Sequence, residues 1–289
     1  MGISNCVNSH WMSWIISSAA LNYFVCILAI MKKKTGNSKC KDFLVLIDAD
    51  DTLWESALFF ERTEHDFLTL MKTMGSPKEE VRRIIHQRDI ERLSVTGYGA
   101  RPYMDTLREI MHEFTVEQPP WALKAIDDIE TNLLNHPVLI LPGVISTLDE
   151  IKRLPVRTMV YTMGEENHQT DKFVRSGLME HFDDLRIVPV KSVNALREIL
   201  EYAHVNPENC IVAGNSPRSD INPALSLGAC AVHIPRDRMW TAEHEEFLDP
   251  EMVVTINSFR ELYDTVIKIF GYENLQIGSN PNKPMDMRF

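Results

Sequence analysis

Asp48 and Asp50 stand two residues apart behind an apolar run, Phe43-Leu44-Val45-Leu46-Ile47, and are followed by Thr52 and Leu53. Paired carboxylates can move protons or bind a cation, although Asp is also frequent in ordinary turns, where it hydrogen-bonds local backbone. Thr162, with Met163 and Gly164 after it, closes a second apolar run; a hydroxyl and successive backbone N–H groups there can hold phosphate oxygens. Lys191 follows a third run and brings an ammonium, which in isolation reads as solvated surface. Gly214-Asn215-Ser216-Pro217-Arg218-Ser219-Asp220 follows Cys210-Ile211-Val212-Ala213 and supplies hard oxygen donors of the kind that suit Mg²⁺. Each piece alone has a bland explanation. Their joint occurrence, each behind a strand-like run, does not.

Those runs predict buried strands at residues 43–47, 157–161, 185–190, 210–214 and 229–234. Helical patterns separate them: Ile145, Leu148 and Ile151 form one stripe, and Val193, Leu196 and Leu200 form another behind the potential cap Ser192. Alternating strands and helices predict an α/β fold with a doubly wound, Rossmann-like parallel sheet, whose ligand sites lie beyond the carboxyl ends of the strands. Residues 56–136 contain no convincing strand but several amphipathic stripes: Phe67, Leu70, Met71, Met74; Leu107, Ile110, Met111, Phe114; and Ile126, Ile129, Leu133. They predict an inserted all-helical unit, with the Met and Phe stripes forming its core. The expected organisation is a core of residues 39–55 and 137–270, the insertion at 56–136, an apolar N-terminal segment at 1–38 and a polar, disordered tail at 271–289.

In the order, spacing and strand-end placement of these four motifs, the chain resembles the haloacid dehalogenase superfamily of aspartate-nucleophile hydrolases. It is similar to the helical-cap, phosphoglycolate phosphatase-like subgroup, from Phe43 to about Phe270. The resemblance implies that Asp48 is the nucleophile and a metal ligand. It implies that Asp50 is general acid and then base, and binds the metal through its backbone carbonyl. Thr162, Met163 and Lys191 would hold the phosphoryl group, while Asn215 and Asp220 complete a Mg²⁺ site. A carboxylate can accept a phosphoryl group only when its repulsion from the dianionic ester is cancelled, which Mg²⁺ and Lys191 would do.

Many relatives carry Asp where this chain has Asn215, so either Asn215 or Asp220 is the main ligand from that loop. Relatives that cleave carbon–halogen bonds lack an acid at the position of Asp50, so phosphoryl chemistry is favoured here. The cap is expected to close over the site. Its glycine-bearing break, Thr96-Gly97-Tyr98-Gly99-Ala100-Arg101-Pro102, is either an ordinary interhelical turn or a means of aiming Tyr98 and Arg101 at a substrate.

The expected activity is a Mg²⁺-dependent phosphatase acting on a small phosphorylated metabolite. The alternatives are a phosphomutase or phosphonate hydrolase on the same scaffold, or a non-catalytic binding protein, which only the Asn215 replacement favours. With 41 acidic against 30 basic residues and a net charge of −11, general nucleic-acid binding is disfavoured. Five cysteines without a CxxC pair indicate neither a disulfide framework nor a zinc knuckle. Residues 11–31 are mostly apolar and are followed by Lys32, Lys33 and Lys34. They are either a membrane anchor, leaving the catalytic part in the cytoplasm, or an extension ahead of a start at Met31.

Overall fold

The computed structural model describes residues 43–96, 99–115 and 117–272. The expected apolar segment at 11–31 and all but the first two residues of the expected tail at 271–289 lie outside them, as does Tyr98. Among the described residues, no helix is long and apolar enough to cross a membrane.

Six strands form one sheet: β1 (Leu44–Ile47), β2 (Arg157–Met163), β3 (Asp184–Val188), β4 (Cys210–Gly214), β5 (Cys230–His233) and β6 (Val253–Thr255). They lie in the order β3-β2-β1-β4-β5-β6, every neighbouring pair parallel. The central strands are continuous apolar runs because each pleat face is covered. Val45, Ile47, Val160, Ile211 and Val232 enter one core, with Leu148 and Ile151 from α5 (Val144–Ile151) and Leu262, Val266 and Phe270 from α9 (Leu262–Phe270). Leu44, Leu46, Met159, Tyr161 and Val212 enter the other. There they meet Leu196 and Leu200 from α7 (Val193–Ala203) and Ala224 from α8 (Asn222–Leu227). The strand order reverses beside β1, where an open α/β sheet leaves a crevice for ligands. Between β2 and β3 runs α6 (Glu166–Ser176).

The insertion after β1 contains four helices: α1 (Ala57–Thr73), α2 (Lys78–Thr96), α3 (Ala100–Phe114) and α4 (Pro120–Leu134). They share a separate apolar core that includes Phe67, Met71, Val81, Ile85, Met104, Leu107, Ile126 and Leu133. The chain enters and leaves this cap side by side. Glu55 N donates to Leu139 O at 2.9 Å and Leu141 N to Leu53 O at 2.9 Å, while Trp54 pairs antiparallel with Ile140.

Some expected boundaries change. β2 runs two residues past Tyr161, and β3 stops at Val188, so Lys191 sits in a short turn before α7 rather than directly behind a strand. β6 and α2 carry too little apolar signal to be read from sequence. In α2, among the described residues, Val81 and Ile85 are fully packed into the cap core. Ser192 does cap α7, its Oγ accepting from Ala195 N at 3.1 Å. Cys210 and Cys230 are buried free thiols within the sheet.

Candidate active site

The β1 end is shaped by a tight loop in which Leu53 N donates to Ala49 O at 2.8 Å and Asp51 takes a left-handed φ of 62°. That turn sends Asp48, Asp50 and Asp51 to different tasks. Asp51 accepts from Ser56 N at 2.8 Å and Ala57 N at 2.9 Å, anchoring the start of α1. Asp48 accepts from Thr52 Oγ1 at 2.9 Å and from Lys191 Nζ. Lys191 Nζ also donates to Asp220 Oδ1 at 2.6 Å.

This triad is deeply buried, with side-chain exposures of 1% for Lys191, 1% for Asp220 and 8% for Asp48. Burial alone would favour a neutral lysine, but Asp220 and Asp48 outweigh it and hold the ammonium charged. Burial pushes the Asp48 carboxyl upward; Lys191 opposes the rise and Asp220 adds to it. Asp220 reaches the triad through a wide turn in which Asp220 N and Ile221 N both donate to Ser216 O, at 3.0 and 3.1 Å. Its other oxygen accepts from Ser216 N at 3.0 Å. Glycine at 214 is a packing requirement, since a Cβ there would lie 2.2 Å from Asp220 Oδ2. Asn215 Oδ1 accepts from Thr52 Oγ1 at 3.4 Å.

Asp50 forms a second cluster. Its carboxylate accepts from Lys172 Nζ at 2.6 Å, Trp54 Nε1 at 2.7 Å and Gln169 Nε2 at 2.8 Å. Burial would raise its pKa, but the Lys172 ammonium, helped by Gln169 and Trp54, pulls it down to about 2. Gln169 Nε2 also reaches Thr162 Oγ1 at 2.9 Å and Met163 O at 2.7 Å, tying the second motif to the first. The ring of His168 nearby is held neutral by burial and by Lys172, its pKa lowered to about 4. Gln169, Lys172 and Trp54 were not found from sequence. Their only signal is the i, i+3 spacing of Gln169 and Lys172 on the helix that follows Thr162.

Above these clusters lies a cavity of about 450 Å³, walled by both core and cap. Asp48, Asp50, Thr162, Met163, Lys191, Asn215 and Asp220 all line it, so four distant stretches of chain converge there. Arg101 does not line it. Its side chain is 54% exposed and pairs with Glu165 at 3.3 Å, while Arg101 N donates to Glu165 Oε2 at 3.2 Å, latching α3 to the core. Gly99 before it has a φ of 155°, a conformation that L side chains rarely adopt.

Among the described residues, no three His, Cys, Asp or Glu side chains form a preformed cage. Two buried carboxylates, Asp48 and Asp220, nevertheless share a single ammonium, which leaves surplus negative charge beside the Asn215 amide oxygen. That set fits Mg²⁺, which is usually held by one or two carboxylates together with substrate phosphate and water.

The sequence profile of haloacid dehalogenase-like hydrolases matches residues 44–228, which contain both clusters. The chain belongs to this family. The hydrolase is 26% identical over 231 residues to a glyceraldehyde 3-phosphate phosphatase of Methanocaldococcus jannaschii, a match covering 77% of this chain and 96% of that one. A glyceraldehyde 3-phosphate phosphatase of Methanothermobacter thermautotrophicus is 24% identical over 75% of this chain and 98% of its own. In fold, the hydrolase is similar to a haloacid dehalogenase-like family hydrolase from Xanthomonas campestris, with a TM-score of 0.67 and 23% identity over 80% of this chain and 96% of that one. It is also similar to the HAD-hydrolase YfnB from Bacillus subtilis, whose structure is described as bound to magnesium. That likeness has a TM-score of 0.54 and 17% identity, over 78% of this chain and 99% of that one.

Proposed function

We propose that this chain is a Mg²⁺-dependent phosphatase that removes phosphate from a small phosphorylated metabolite through a covalent aspartyl-phosphate on Asp48. The observation that carries the reading is the buried Lys191, bonded at once to Asp48 and Asp220 at the floor of a cap-covered cavity. Support also comes from the two relatives named as glyceraldehyde 3-phosphate phosphatases.

In the first step a carboxylate oxygen of Asp48 attacks phosphorus and the ester oxygen leaves with a proton from Asp50. In the second, water attacks the aspartyl-phosphate as Asp50 takes the proton back. Asp48, Asp220, Asn215 and the Asp50 backbone carbonyl would hold Mg²⁺, which supplies charge to offset the repulsion between ester and nucleophile. Lys191 supports the same offset, and Thr162 with the Met163 backbone would orient the phosphate.

With Lys172 beside it, Asp50 rests as a carboxylate, ready for the second step. To serve the first it must gain a proton. An arriving phosphate dianion shifts it in that direction, because negative charge nearby raises the proton affinity of a carboxylate.

The deciding experiment measures inorganic phosphate released from an aryl phosphate in Mg²⁺ by the purified protein and by Asp48→Asn. Release that is lost in the variant and in excess chelator supports the reading. Equal rates with and without chelator would remove the metal, and an active Asp48→Asn protein would remove the nucleophile.

A further inference from the structure

Asp50 divides its hydrogen bonds unequally between its two oxygens. Oδ1 accepts from Lys172 Nζ at 2.6 Å and from Trp54 Nε1 at 2.7 Å, which occupies both of its lone-pair sites. Oδ2 accepts, among the described residues, from Gln169 Nε2 at 2.8 Å. The lone-pair site still open on this carboxylate therefore belongs to Oδ2. Asp50 lines the cavity with 29% of its side chain exposed, whereas the Lys172 behind it is 3% exposed.

The way Gln169 is held is costly for a residue that only packs. Its amide nitrogen lies within hydrogen-bond reach of Asp50 Oδ2, of Thr162 Oγ1 at 2.9 Å and of Met163 O at 2.7 Å. Its amide oxygen is buried and has no hydrogen-bond partner among the described residues. Turning the amide over would not cure this, because Oε1 would then face the Asp50 carboxylate and the Met163 carbonyl, which have no proton to give. A buried acceptor without a donor destabilises the fold, so this orientation is kept for what the nitrogen does.

A second, independent observation lies at Gly164. Its φ of 133° is one that L side chains rarely adopt, and a Cβ there would stand 3.3 Å from Gln169 Cγ and 3.4 Å from Nε2. The glycine after Met163 thus leaves the space through which Gln169 reaches back from α6 to the end of β2. Nε2 has only N–H groups to offer, so the Thr162 proton points away from it and is available to a phosphate oxygen.

We infer that Asp50 exchanges its proton through Oδ2, and that Gln169 is the positioning residue that aims this oxygen at the leaving group. The inference rests on the phosphatase reading and deepens it at the proton-transfer step. In the first step the proton passes from Oδ2 to the ester oxygen as the bond from phosphorus to Asp48 forms and the bond to the alcohol breaks. In the second, Oδ2 takes a proton from water as the water oxygen displaces Asp48 from phosphorus. Oδ1 could serve only by giving up Lys172 or Trp54. Because Gln169 holds Oδ2 and Thr162 together, it fixes the distance between the proton donor and the phosphate contact, and an error in that distance costs rate.

The test compares kcat/KM for benzyl phosphate, whose alkoxide needs a proton to leave, and 4-nitrophenyl phosphate, whose phenolate leaves without one. The two esters are similar in size. Gln169→Met replaces the amide by an apolar chain of similar length. It should lower kcat/KM by about tenfold or more for the benzyl ester and by less than about threefold for the nitrophenyl ester. Gln169→Asn, whose amide is one methylene too short to reach Oδ2, should show the same split and replaces the Met variant if that protein does not fold. A merely structural role would lower both values alike. Equal losses, or no loss, overturn the inference and leave the phosphatase reading standing. Failure of the unaltered protein to release phosphate from either ester would overturn that reading and the inference with it.

Discussion

Lys172 extends from α6 to place its ammonium 2.6 Å from Asp50 Oδ1, with only 3% of its side chain exposed. A buried charge so held is costly to strip of its partner. The pair therefore links the second strand-end cluster to the folding of the core, and its removal has a pH signature.

Asp50 has a folded pKa near 2 against a usual value of 3.8, so its contribution to stability is fully present above about pH 4 and is lost as pH falls towards 2. Replacing Lys172 by Met should remove that contribution. Thermal melts of the two proteins are expected to differ most above pH 4 and to converge as the pH drops through 3. A constant difference across that window would show that Asp50 does not feel Lys172.

Gly214→Ala places a methyl group 2.2 Å from Asp220 Oδ2, far inside contact distance. The carboxylate must move by an ångström or more, which at a phosphoryl-transfer site costs about a hundredfold in rate. We expect kcat to fall by that order while circular dichroism keeps the α/β signature. Retention of full activity would mean that Asp220 is not needed where it stands.

Asn215→Asp adds a negative charge beside Asp48 and Asp220. If these residues hold Mg²⁺, the half-saturating metal concentration for activity should fall by about tenfold. A Mg²⁺ titration of phosphate release checks this, and an unchanged midpoint would exclude Asn215 from the metal's surroundings.

Arg101 and Glu165 join cap to core through an exposed pair, and such pairs are worth at most about 1 kcal/mol. Arg101→Ala should leave the melting temperature almost unmoved and raise KM severalfold by loosening the cap, with a smaller change in kcat. A large loss in kcat with KM intact would instead assign Arg101 to the chemical step.

Much of this arrangement was legible in the residues. Asp48, Thr162, Lys191 and Asp220 each follow a buried run closely, and a parallel sheet brings the ends of such runs to one rim, so short-range spacing was enough to gather them. Lys172 and Gln169 were not legible, because a lysine within a polar helix reads as surface until the phase of that helix against the sheet is known. Trp54 was hidden for a related reason: its Nε1 meets Asp50 only because the loop turns back at Asp51. The helix Lys78–Thr96 escaped notice because charged residues interrupt its apolar positions, and the three-residue strand Val253–Thr255 is shorter than any pattern can resolve. Of the two readings of the glycine-bearing break, Arg101 follows the interhelical turn, its side chain meeting Glu165 rather than the cavity, a choice of direction that the sequence leaves open.

The bridged segments through which the chain departs for the cap and returns have an evolutionary corollary. Since both ports sit next to each other, the sheet and its motifs would still close if everything between them were excised and the gap bridged by a short turn. Selection can thus exchange one helical lobe for another, altering which alcohol is recognised, without disturbing the machinery beneath.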